Sequence, residues 1–502
     1  MRIVIVGAGT AGCTLANRLS ENPEWDVTLL EPGPDYTPES LPADLANGTQ
    51  NALRSHDWGM KHRVNSQQRV LFPLPRGRVM GGSSQVNTCI ALRGQPEDYD
   101  EWAARGLKDW SWERVLPAFR KLERDLDFGD RAWHGQGGPL PIRRHKPHEW
   151  TPWQAAFVQA ALDAGYPECP DSNEPGRGGV GPHAMNKLRG RRISCAEVYL
   201  RPWVRARPNL AIHAHTEVCR IVFAARRAVA VEAWTEQGVR QFPADHVILT
   251  AGAIHTPLAL YRSGVGPRAE LDRLGVERVA ENEHVGARLL DHPGSAMFFA
   301  PRGWLPRRNA PLIQNVLRLG SERTSVPFDI QIQAGSKVPI GDWVVPGCSV
   351  MLGVGKPFGT GKIHWPHVAR GVKPVIHSAL LDDPRDLAMA VDAMEIIHRL
   401  SMSAPMWDLG RPLVPLGSRR RRREDIEGWI RRFSDSGYHP SGTVPMGLTQ
   451  QDGATDGQGR VFGVEGLFVG DASLMPTIPS SNTNLPTLMM AEHLATLWRD
   501  SW

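Results

Sequence analysis

The sequence predicts an α/β fold in which distant segments build one parallel sheet and a second sheet is inserted between them. The first observation is a strand, a glycine turn, a helix and a strand within residues 2–31. The second is another buried strand that ends in small residues and leads into a helical run, at residues 245–263. The third is a middle region, residues 296–375, where strand-like runs alternate with frequent proline and glycine. The first two patterns are typical of a parallel sheet, and the third is typical of a separate inserted sheet.

The first unit runs from strand to strand without a break. The apolar run Ile3 to Val6 predicts a buried strand, Thr10 to Leu19 a helix, and Asp26 to Leu30 a second strand. The turn before the helix reads Gly7-Ala8-Gly9-Thr10-Ala11-Gly12. Glycines let the backbone amides at a helix N-terminus approach a pyrophosphate, so the unit predicts a dinucleotide site.

Glu31 closes this unit. It lies 31 − 12 = 19 residues after the third glycine of the turn. A carboxylate at about this distance accepts hydrogen bonds from an adenosine ribose and disfavours the 2′-phosphate of NADP. The turn and Glu31 together leave FAD, NAD and a chance glycine turn open.

Further strands and helices follow from the apolar pattern. A second strand-turn-helix unit is expected where a buried strand within Asp245 to Ala253 meets the helical run Thr256 to Ser263. Helical spacing returns from Asp382 to Leu400. Runs rich in β-branched residues predict three more strands, at Asn209 to His213, Val218 to Phe223 and Val229 to Trp234.

Composition bounds the class of protein. A chain of 502 residues is too long for one core, so two associated domains are expected. The net charge of +5 is too small to suggest nucleic acid as a partner, and we interpret the basic run Arg419 to Arg423 as a solvated loop before a helix. No apolar run reaches the ~18 residues of a spanning helix, and the N-terminus lacks a secretory signal pattern. The six cysteines show no metal-type or paired spacing, so we expect reduced thiols, no metal site and a cytoplasmic protein.

Two late segments carry candidate chemistry, Tyr438-His439-Pro440 and Asn482-Thr483-Asn484. A reaction that removes a hydroxyl proton requires a base for that proton and a group that holds the oxygen. Histidine suits the first role because its reference pKa lies near ~6.5. An asparagine amide can donate a hydrogen bond to the oxygen without competing for the proton.

Several ordered segments resemble the glucose-methanol-choline family of FAD-dependent oxidoreductases, and the resemblance covers nearly the whole chain. The N-terminal glycine turn and Arg93-Gly94 fit it. The segments that match the family's signatures are Gly77 to Asn87, Gly252 to Pro257, Asp291-His292-Pro293, His439 to Thr443, Val469 to Ser473 and Asn482 to Thr487.

The resemblance implies a Rossmann-like FAD-binding domain built from separated segments, with an inserted α+β substrate domain that contains an antiparallel sheet. Residues 1–295 would be mainly FAD-binding with some substrate-domain segments, 296–445 mainly substrate-binding, and 446–502 a return to the FAD domain. The residues implied to bind FAD are Gly7, Gly9, Thr10, Ala11, Gly12, Glu31, Gly81, Gly82, Ser83, Asn87, Ile90, Val218, Gly252, Asp471, Ala472, Asn482 and Thr483.

The resemblance also implies catalytic roles. His439 would be the base, Asn484 would occupy the second catalytic position, which the family fills with histidine or asparagine, and Tyr438 would line the substrate pocket. Some family members attach FAD covalently through a histidine at the position that Val86 occupies here. Valine cannot form that bond, so we expect non-covalent FAD.

The expected activity is oxidation of a primary alcohol to the aldehyde, with hydride transfer to flavin N5 and reoxidation by oxygen or another acceptor. An aromatic or other small alcohol is mildly preferred as substrate. A lyase of the same family that acts on cyanohydrins, a non-catalytic flavoprotein and an NAD enzyme are the alternatives. The identity of the alcohol and the oligomeric state stay open.

Overall fold

The computed structural model describes residues 1–52, 55–307, 309–340, 343–345, 347–414 and 422–502. Its central sheet is parallel throughout and collects strands from distant parts of the chain. Across the sheet the strands are ordered Leu210–His213, Asp26–Leu30, Arg2–Val6, His246–Leu249 and Leu467–Val469.

Burial on both faces explains why these strands are continuous apolar runs. Ile3, Ile5 and Leu29 have no solvent exposure. The helices Thr10–Leu19 and Asn484–Ser501 pack against each other and share one apolar core with the sheet. The first and last helices of the chain therefore meet beside the glycine turn.

An antiparallel three-stranded sheet follows the central strand Leu210–His213 in the chain. Its strands are Glu217–Ala224, Arg227–Thr235 and Gly238–Pro243, in that order. The helix Gly252–Arg262 packs against the first of them and begins directly after the central strand His246–Leu249.

The inserted sheet is antiparallel and has seven strands. Its order is Gly410–Val414, Pro293–Pro301, Cys348–Val354, Ile330–Gly335, Asn315–Leu319 and Gly179–Pro182, and Ser434–Ser436 also pairs with Pro293–Pro301. Three helices cover one face and form a second apolar core with it, Pro152–Asp163, Pro384–Ser401 and Arg423–Phe433.

Successive side chains of these strands point to opposite faces of the sheet, so the face without helices presents every second residue. Met297 and Phe299 are buried in the core under the helices, whereas Phe298 lies between them in sequence and lines a large cavity. Ile332 is likewise in the core, and its neighbour Gln333 lines the same cavity. The inserted sheet is thus a wall between a hydrophobic core and a pocket.

Smaller elements complete the fold. A four-stranded sheet is ordered Lys362–His364, Val375–His377, Lys61–Arg63 and Phe72–Pro73. Two-stranded sheets pair Glu123–Asp125 with Leu140–Ile142, Lys187–Leu188 with Arg191–Arg192, Val265–Gly266 with Ala280–Glu281, and Val338–Ile340 with Trp343–Val345. The remaining α-helices are Ala43–Ala46, Pro96–Ala104, Trp112–Leu122, Cys195–Tyr199, Pro202–Arg205, Arg268–Leu274 and Ala404–Leu409, and 3₁₀ turns lie at Gly82–Gln85, Lys108–Trp110, Pro147–Glu149 and Ala472–Leu474.

The predicted fold class is confirmed: a parallel sheet assembled from separated segments is joined to an antiparallel sheet domain. The helix expected at Thr256 begins earlier, at Gly252, where a φ of 78° that glycine readily adopts turns the chain from the central strand into the helix. The helix Pro152–Asp163 and the strand Gly179–Pro182 lie with the inserted sheet although they precede residue 296. The domain boundaries stay a prediction.

Three further expectations concern the cysteines, membrane-spanning helices and the basic run Arg419 to Arg423. All six cysteines carry free thiols. Searched over the described ranges, the chain has no helix long and apolar enough to cross a bilayer. The basic run before the helix Arg423–Phe433 falls mostly on residues 415–421, which are outside the described residues.

Candidate active site

A cavity of about 610 Å³ lies between the central sheet and the inserted sheet. One end is lined by the carboxyl ends of the parallel strands, at Val6, Leu30 and Thr250. The other end is lined by the inserted sheet, including Phe298 and Gln333. Ligands of open α/β sheets bind at this edge of the sheet.

The glycine turn shapes the first end of the cavity. A Cβ on Gly12 would lie 1.9 Å from the carbonyl oxygen of Gly7, so the turn closes only with glycine there. A Cβ on Gly9 would meet no atom closer than 4.0 Å, and one on Gly252 would meet none within 4 Å. Because both positions open onto the cavity, a ligand can contact bare backbone at each.

Glu31 lies at the cavity wall beside this turn. Its Oε2 accepts a hydrogen bond from the backbone of Ala8 and its Oε1 accepts one from Gly33, both at 2.9 Å. Burial raises the pKa of Glu31 to about 7, against the effect of these bonds. Each oxygen keeps a lone pair that can accept a ribose hydroxyl.

Three helices direct their N-termini at the cavity: Thr10–Leu19, Gly252–Arg262 and Asn484–Ser501. None of the three has a side-chain cap or an acidic residue in its first turn. The amide groups and dipoles of the helices Thr10–Leu19 and Asn484–Ser501 are therefore available for a negatively charged ligand, whereas Asp471 already accepts the N–H of Gly252.

Two buried polar atoms in this region also lack partners among the described residues. They are Asn482 Oδ1 and Asn484 Nδ2. Buried polar groups are normally satisfied, so their orphaned state indicates a bound polar partner. Together with the open glycine positions, the two available helix N-termini and Glu31, these atoms fit a flavin dinucleotide.

Asp471 lines the cavity, but both oxygens of its carboxylate are hydrogen-bonded to neighbouring protein groups. Its Oδ2 accepts hydrogen bonds from the backbone of Gly252 at 2.7 Å and from Thr256 Oγ1 at 2.8 Å, and its Oδ1 accepts two from Ser473. It therefore joins the turn before one helix to the loop Ala472–Leu474.

The turn that carries His439 is held from several sides. Asp291 Oδ1 accepts the backbone N–H of His439 at 2.9 Å and that of His292 at 2.8 Å. Tyr438 has a left-handed backbone, with φ of 65°. Arg76 donates to the Tyr438 carbonyl at 2.6 Å, and Ser436 Oγ accepts the Tyr438 N–H at 2.7 Å. These bonds stabilise a conformation that a bulky residue rarely adopts.

Close contact between two imidazoles explains the glycine before Tyr438. The Nδ1 atoms of His292 and His439 are 2.9 Å apart. A Cβ on Gly437 would lie 3.0 Å from His439 Nδ1 and 3.3 Å from His292 Cβ. A larger residue at position 437 would separate the pair.

The pair fixes the tautomer of His439. His292 Nε2 is 2.9 Å from the Gly355 carbonyl oxygen, which can only accept, so a neutral His292 carries its proton on Nε2. His292 Nδ1 is then an acceptor, and the neighbouring His439 Nδ1 must be the donor. Neutral His439 therefore has an unprotonated Nε2.

Both rings are neutral near pH 7. Burial, followed by the His292 ring and the Arg76 cation, holds the pKa of His439 well below its ordinary value of 6.5. Burial lowers the pKa of His292 to about 4. The chain of hydrogen bonds from Gly355 through His292 thus leaves a basic lone pair on His439.

The two asparagines of the last segment have different neighbours. Asn482 Nδ2 is 3.1 Å from His439 Nε2. Asn484 instead accepts a hydrogen bond on Oδ1 from Thr10 Oγ1 at 2.9 Å, beside the glycine turn. This differs from the sequence expectation, which placed Asn484 with His439 and Asn482 with the cofactor. The helix begins at Asn484, and its first turn directs that side chain toward the first helix.

The substrate end of the cavity is predominantly apolar. Phe298, Ile313, Met351 and Phe433 line it, with Gln331, Gln333 and Asp435 as polar neighbours. Tyr438 also lines the cavity, and its hydroxyl lies 3.3 Å from Asp435 Oδ2. Asp435 Oδ1 contacts His62 Nε2 at 3.2 Å, so this carboxylate already has partners.

The structure brings nearly all predicted site residues to one cavity. The exceptions are Gly12, which packs inside the turn, and Gly81, whose N–H donates to the Ala8 carbonyl at 2.8 Å behind the wall. The residues that line the cavity as expected are Gly7, Gly9, Thr10, Ala11, Glu31, Gly82, Ser83, Asn87, Ile90, Val218, Gly252, Tyr438, His439, Asp471, Ala472, Asn482, Thr483 and Asn484.

Sequence reasoning gave no role to His292, Asp291 or Arg76. His292 and Asp291 stand in a segment that matches the family. They are 147 and 148 residues from His439 in the chain, so the sequence does not show that they lie beside it in space. Arg76 directly precedes the matched segment Gly77 to Asn87, and this position is the one signal in the sequence that could have pointed to it.

Comparison with known proteins gives the class. A GMC oxidoreductase family model for the N-terminal part matches residues 1–294, and one for the C-terminal part matches residues 357–491. The chain belongs to the GMC oxidoreductase family, and it is an FAD-dependent oxidoreductase that acts on CH–OH groups.

Individual relatives are similar along their whole length. The chain is 35% identical to a 5-(hydroxymethyl)furfural oxidase of Methylovorus sp. (strain MP688), covering 98% of this chain and 97% of the relative. It is 34% identical to the mitochondrial choline dehydrogenase of Mus musculus, covering 98% and 88%. Among solved structures, pyridoxine 4-oxidase from Mesorbium loti superposes with a TM-score of 0.92 at 29% identity, over 99% of both chains.

Proposed function

We propose that the protein oxidises a small aromatic or furan-type primary alcohol to its aldehyde, with His439 as the base. The observation that carries this proposal is the hydrogen-bond chain from the Gly355 carbonyl through His292 to His439. It leaves a neutral imidazole whose unprotonated Nε2 lies in the wall of the FAD cavity, beside the amide of Asn482. A general base needs this protonation state and position.

Asn482 supplies the second part of the site. Its amide Nδ2 and His439 Nε2 are 3.1 Å apart, so both can contact a single alcohol oxygen. In that position the oxygen receives a hydrogen bond from Asn482 while His439 accepts the hydroxyl proton. The amide stabilises the negative charge that develops on the oxygen. We therefore assign the second catalytic position to Asn482, and we assign Asn484 to the cofactor side through Thr10.

FAD, when bound, accepts the hydride from the alcohol carbon. The residues that would hold it are those of the glycine turn, Glu31, Gly252 and the N-terminus of the helix Asn484–Ser501. Val86 is 6% exposed and packs with Leu45, Ala52 and Val79, and its side chain cannot bond covalently to a flavin. This supports non-covalent binding.

The substrate class follows from the other end of the cavity. Phe298, Phe433, Met351 and Ile313 provide flat and flexible apolar surfaces suited to a planar ring. The 5-(hydroxymethyl)furfural oxidase among the relatives is named for a substrate of this kind.

A choline-type alcohol is the second candidate, because choline dehydrogenases are relatives of similar identity. Aromatic rings such as Phe298 line this end, but a cation in the cavity would also need a free carboxylate to pair with it. Among the described residues at this end, Asp435 is the carboxylate in the wall, and it is engaged by His62 and Tyr438. The contacts of Asp435 therefore favour the neutral planar alcohol.

Anaerobic mixing of the holoenzyme with single alcohols tests the proposal. We expect 5-(hydroxymethyl)furfural or benzyl alcohol to bleach the flavin absorbance and choline to leave it unchanged. Reduction by choline alone would contradict the substrate class. Bleaching by any alcohol also separates an oxidoreductase from a cyanohydrin lyase, which produces no net reduction.

Admission of air to the reduced enzyme then identifies the acceptor. Rapid return of the flavin absorbance with formation of hydrogen peroxide supports oxygen as the acceptor. Slow return, with fast reoxidation by an added quinone, supports a dehydrogenase.

A further inference from the structure

We propose that a second cavity binds an oxyanion, a phosphate or carboxylate group, through Lys187 with His145 and Arg189. The cavity has a volume of about 230 Å³ and is lined by these three residues, by Arg143 and Glu149, and by uncharged neighbours. The proposal does not depend on which alcohol the enzyme oxidises.

The second cavity is separated from the FAD cavity by backbone contacts. Ile90, which lines the FAD cavity, forms a β-bridge with Met185, which lines the second one. Leu312 donates its backbone N–H to the Thr49 carbonyl at 2.8 Å across the same wall. An anion in the second cavity would therefore lie outside the FAD site.

Lys187 is the buried charge that needs a partner. The residue is 4% exposed and lines the cavity, and no hydrogen bond or ion pair joins its Nζ to another residue that the structure describes. Burial lowers its pKa to about 8, with Cys89, Arg143, Arg192 and Glu149 as further influences, so it is mostly charged at pH 7. A buried ammonium without an acceptor is costly, and an oxyanion supplies the acceptor.

The remaining groups leave the cavity positive. Arg143 forms an ion pair with Glu149, so these two charges cancel. Lys187 and Arg189 are the two cations that remain, so the lining of the cavity has a net charge of +2. Arg189 lies on the exposed turn of the hairpin and has a left-handed backbone, with φ of 49°.

His145 adds a neutral hydrogen-bonding group. Burial lowers its pKa to about 3, so the ring is uncharged near pH 7. Its Nδ1 is buried and has no hydrogen-bond partner among the described residues. A neutral imidazole protonated on Nδ1 donates to an oxyanion and satisfies this atom.

Anion binding here would act on the FAD site through the hairpin 187–192. Asn186 donates its N–H to the Cys89 carbonyl at 2.9 Å, and Arg192 Nε donates to the Asn87 carbonyl at 2.9 Å. Asn87 lines the FAD cavity. A ligand that ties Lys187 to His145 would hold the hairpin and, with it, the segment around Asn87, so it should slow loss of FAD.

Calorimetric titration of the holoenzyme with inorganic phosphate and, separately, with succinate tests the site. Sodium chloride keeps the ionic strength equal, because non-specific charge effects depend on it. We expect one binding event per chain in the wild type, at least tenfold weaker binding in Lys187→Met, and unchanged binding in Lys362→Met, which alters an exposed lysine elsewhere. A Lys187-dependent signal with succinate alone would identify the oxyanion as a carboxylate.

Absence of binding by both anions, or equal affinity in Lys187→Met, would overturn the proposal. Lys187→Met changes a buried residue and could disturb folding. Arg189→Ala changes an exposed residue of the same cavity, and it should weaken binding about threefold without that risk. The rate at which FAD is released after dilution of the holoenzyme tests the coupling to the FAD site independently. The bound anion should slow release severalfold in the wild type and have no effect in Lys187→Met, whereas equal release with and without anion would refute the coupling to FAD.

Discussion

The Nδ1 atoms of His292 and His439 face each other at 2.9 Å, although 147 residues separate the two histidines in the chain. Asp291 holds both backbones by accepting their N–H groups on one carboxylate oxygen. The contact of His292 Nε2 with the Gly355 carbonyl then decides which nitrogen of each ring carries the proton. His292 is therefore a positioning residue that acts through His439.

Substitution of His292 tests this relationship. His292→Leu removes the acceptor for His439 Nδ1–H, so His439 can adopt the other tautomer, and we expect flavin reduction to slow about 100-fold. His292→Asn keeps an oxygen near the same position and should slow it by less than about tenfold. Nitrogen NMR of the ring atoms reports the tautomer directly. Equal rates in the two variants, with an unchanged tautomer, would remove the role of His292.

The pH dependence of flavin reduction follows from the low pKa of His439. Protonation below that pKa removes the lone pair that accepts the substrate proton. Because burial, His292 and Arg76 all oppose the charged ring, the rate should be constant from pH 8 down to about 6.5 and fall only in more acidic solution. Asp291, which accepts the backbone N–H of His439, and the adjacent Tyr438 are further titratable groups nearby, and burial raises the pKa of each.

Stopped-flow reduction between pH 5 and 9 measures this profile, with a substrate that does not titrate in the range. An inflection near pH 7 would show that His439 behaves as an ordinary exposed histidine. His439→Ala should retain FAD and lose most of the alcohol-dependent reduction, because the residue contacts Asn482 and His292 rather than the glycine turn.

Separate substitutions of Asn482 and Asn484 distinguish their roles. Asn482→Ala should lower the rate of flavin reduction about 100-fold with little change in FAD content, because it removes the amide beside His439 Nε2. Asn484→Ala should mainly weaken FAD retention, because its partner is Thr10 of the glycine turn. The reverse pattern would return the catalytic role to Asn484.

The sequence predicted the fold more completely than the site. Continuous apolar strands, the glycine turn and Glu31 carry their structural meaning locally, so the first βαβ unit could be predicted to within one residue. Asn482 and Asn484 stand only two residues apart at the start of a helix, and spacing does not tell which one turns toward His439. The His292–His439 contact depends on the pairing of Pro293–Pro301 with Ser434–Ser436, which is a long-range property of the inserted sheet.

Release of FAD on denaturation tests the consequence of Val86. Acid precipitation should leave a colourless pellet and a yellow supernatant, because valine cannot form a covalent bond to the flavin. A yellow pellet would require a linkage at another residue. Mass spectrometry of the intact denatured chain gives the same answer independently, since covalent FAD would add to the mass of the polypeptide.

A buried charge cluster offers a test of stability. His134 places Nδ1 at 2.8 Å from Glu123 Oε1 and Nε2 at 2.8 Å from Asp171 Oδ2. Two carboxylate acceptors require a proton on each nitrogen, so the ring is an imidazolium. Burial opposes this charge, but the bonds to Asp171 and Glu123 prevail and raise the pKa of His134 above 6.5.

His134→Gln leaves the carboxylates short of one positive charge. We expect the free energy of unfolding to fall by about 3 kcal/mol at pH 6. A group with a raised pKa contributes its full stabilisation below the unfolded value of about 6.5 and loses it as the pH rises through the folded value. The difference between wild type and variant should therefore shrink at pH 9. Urea unfolding at both pH values measures it, with His148→Gln as the same substitution at an exposed histidine. A difference that is equal at pH 6 and pH 9 would mean that the ring is neutral in the folded protein.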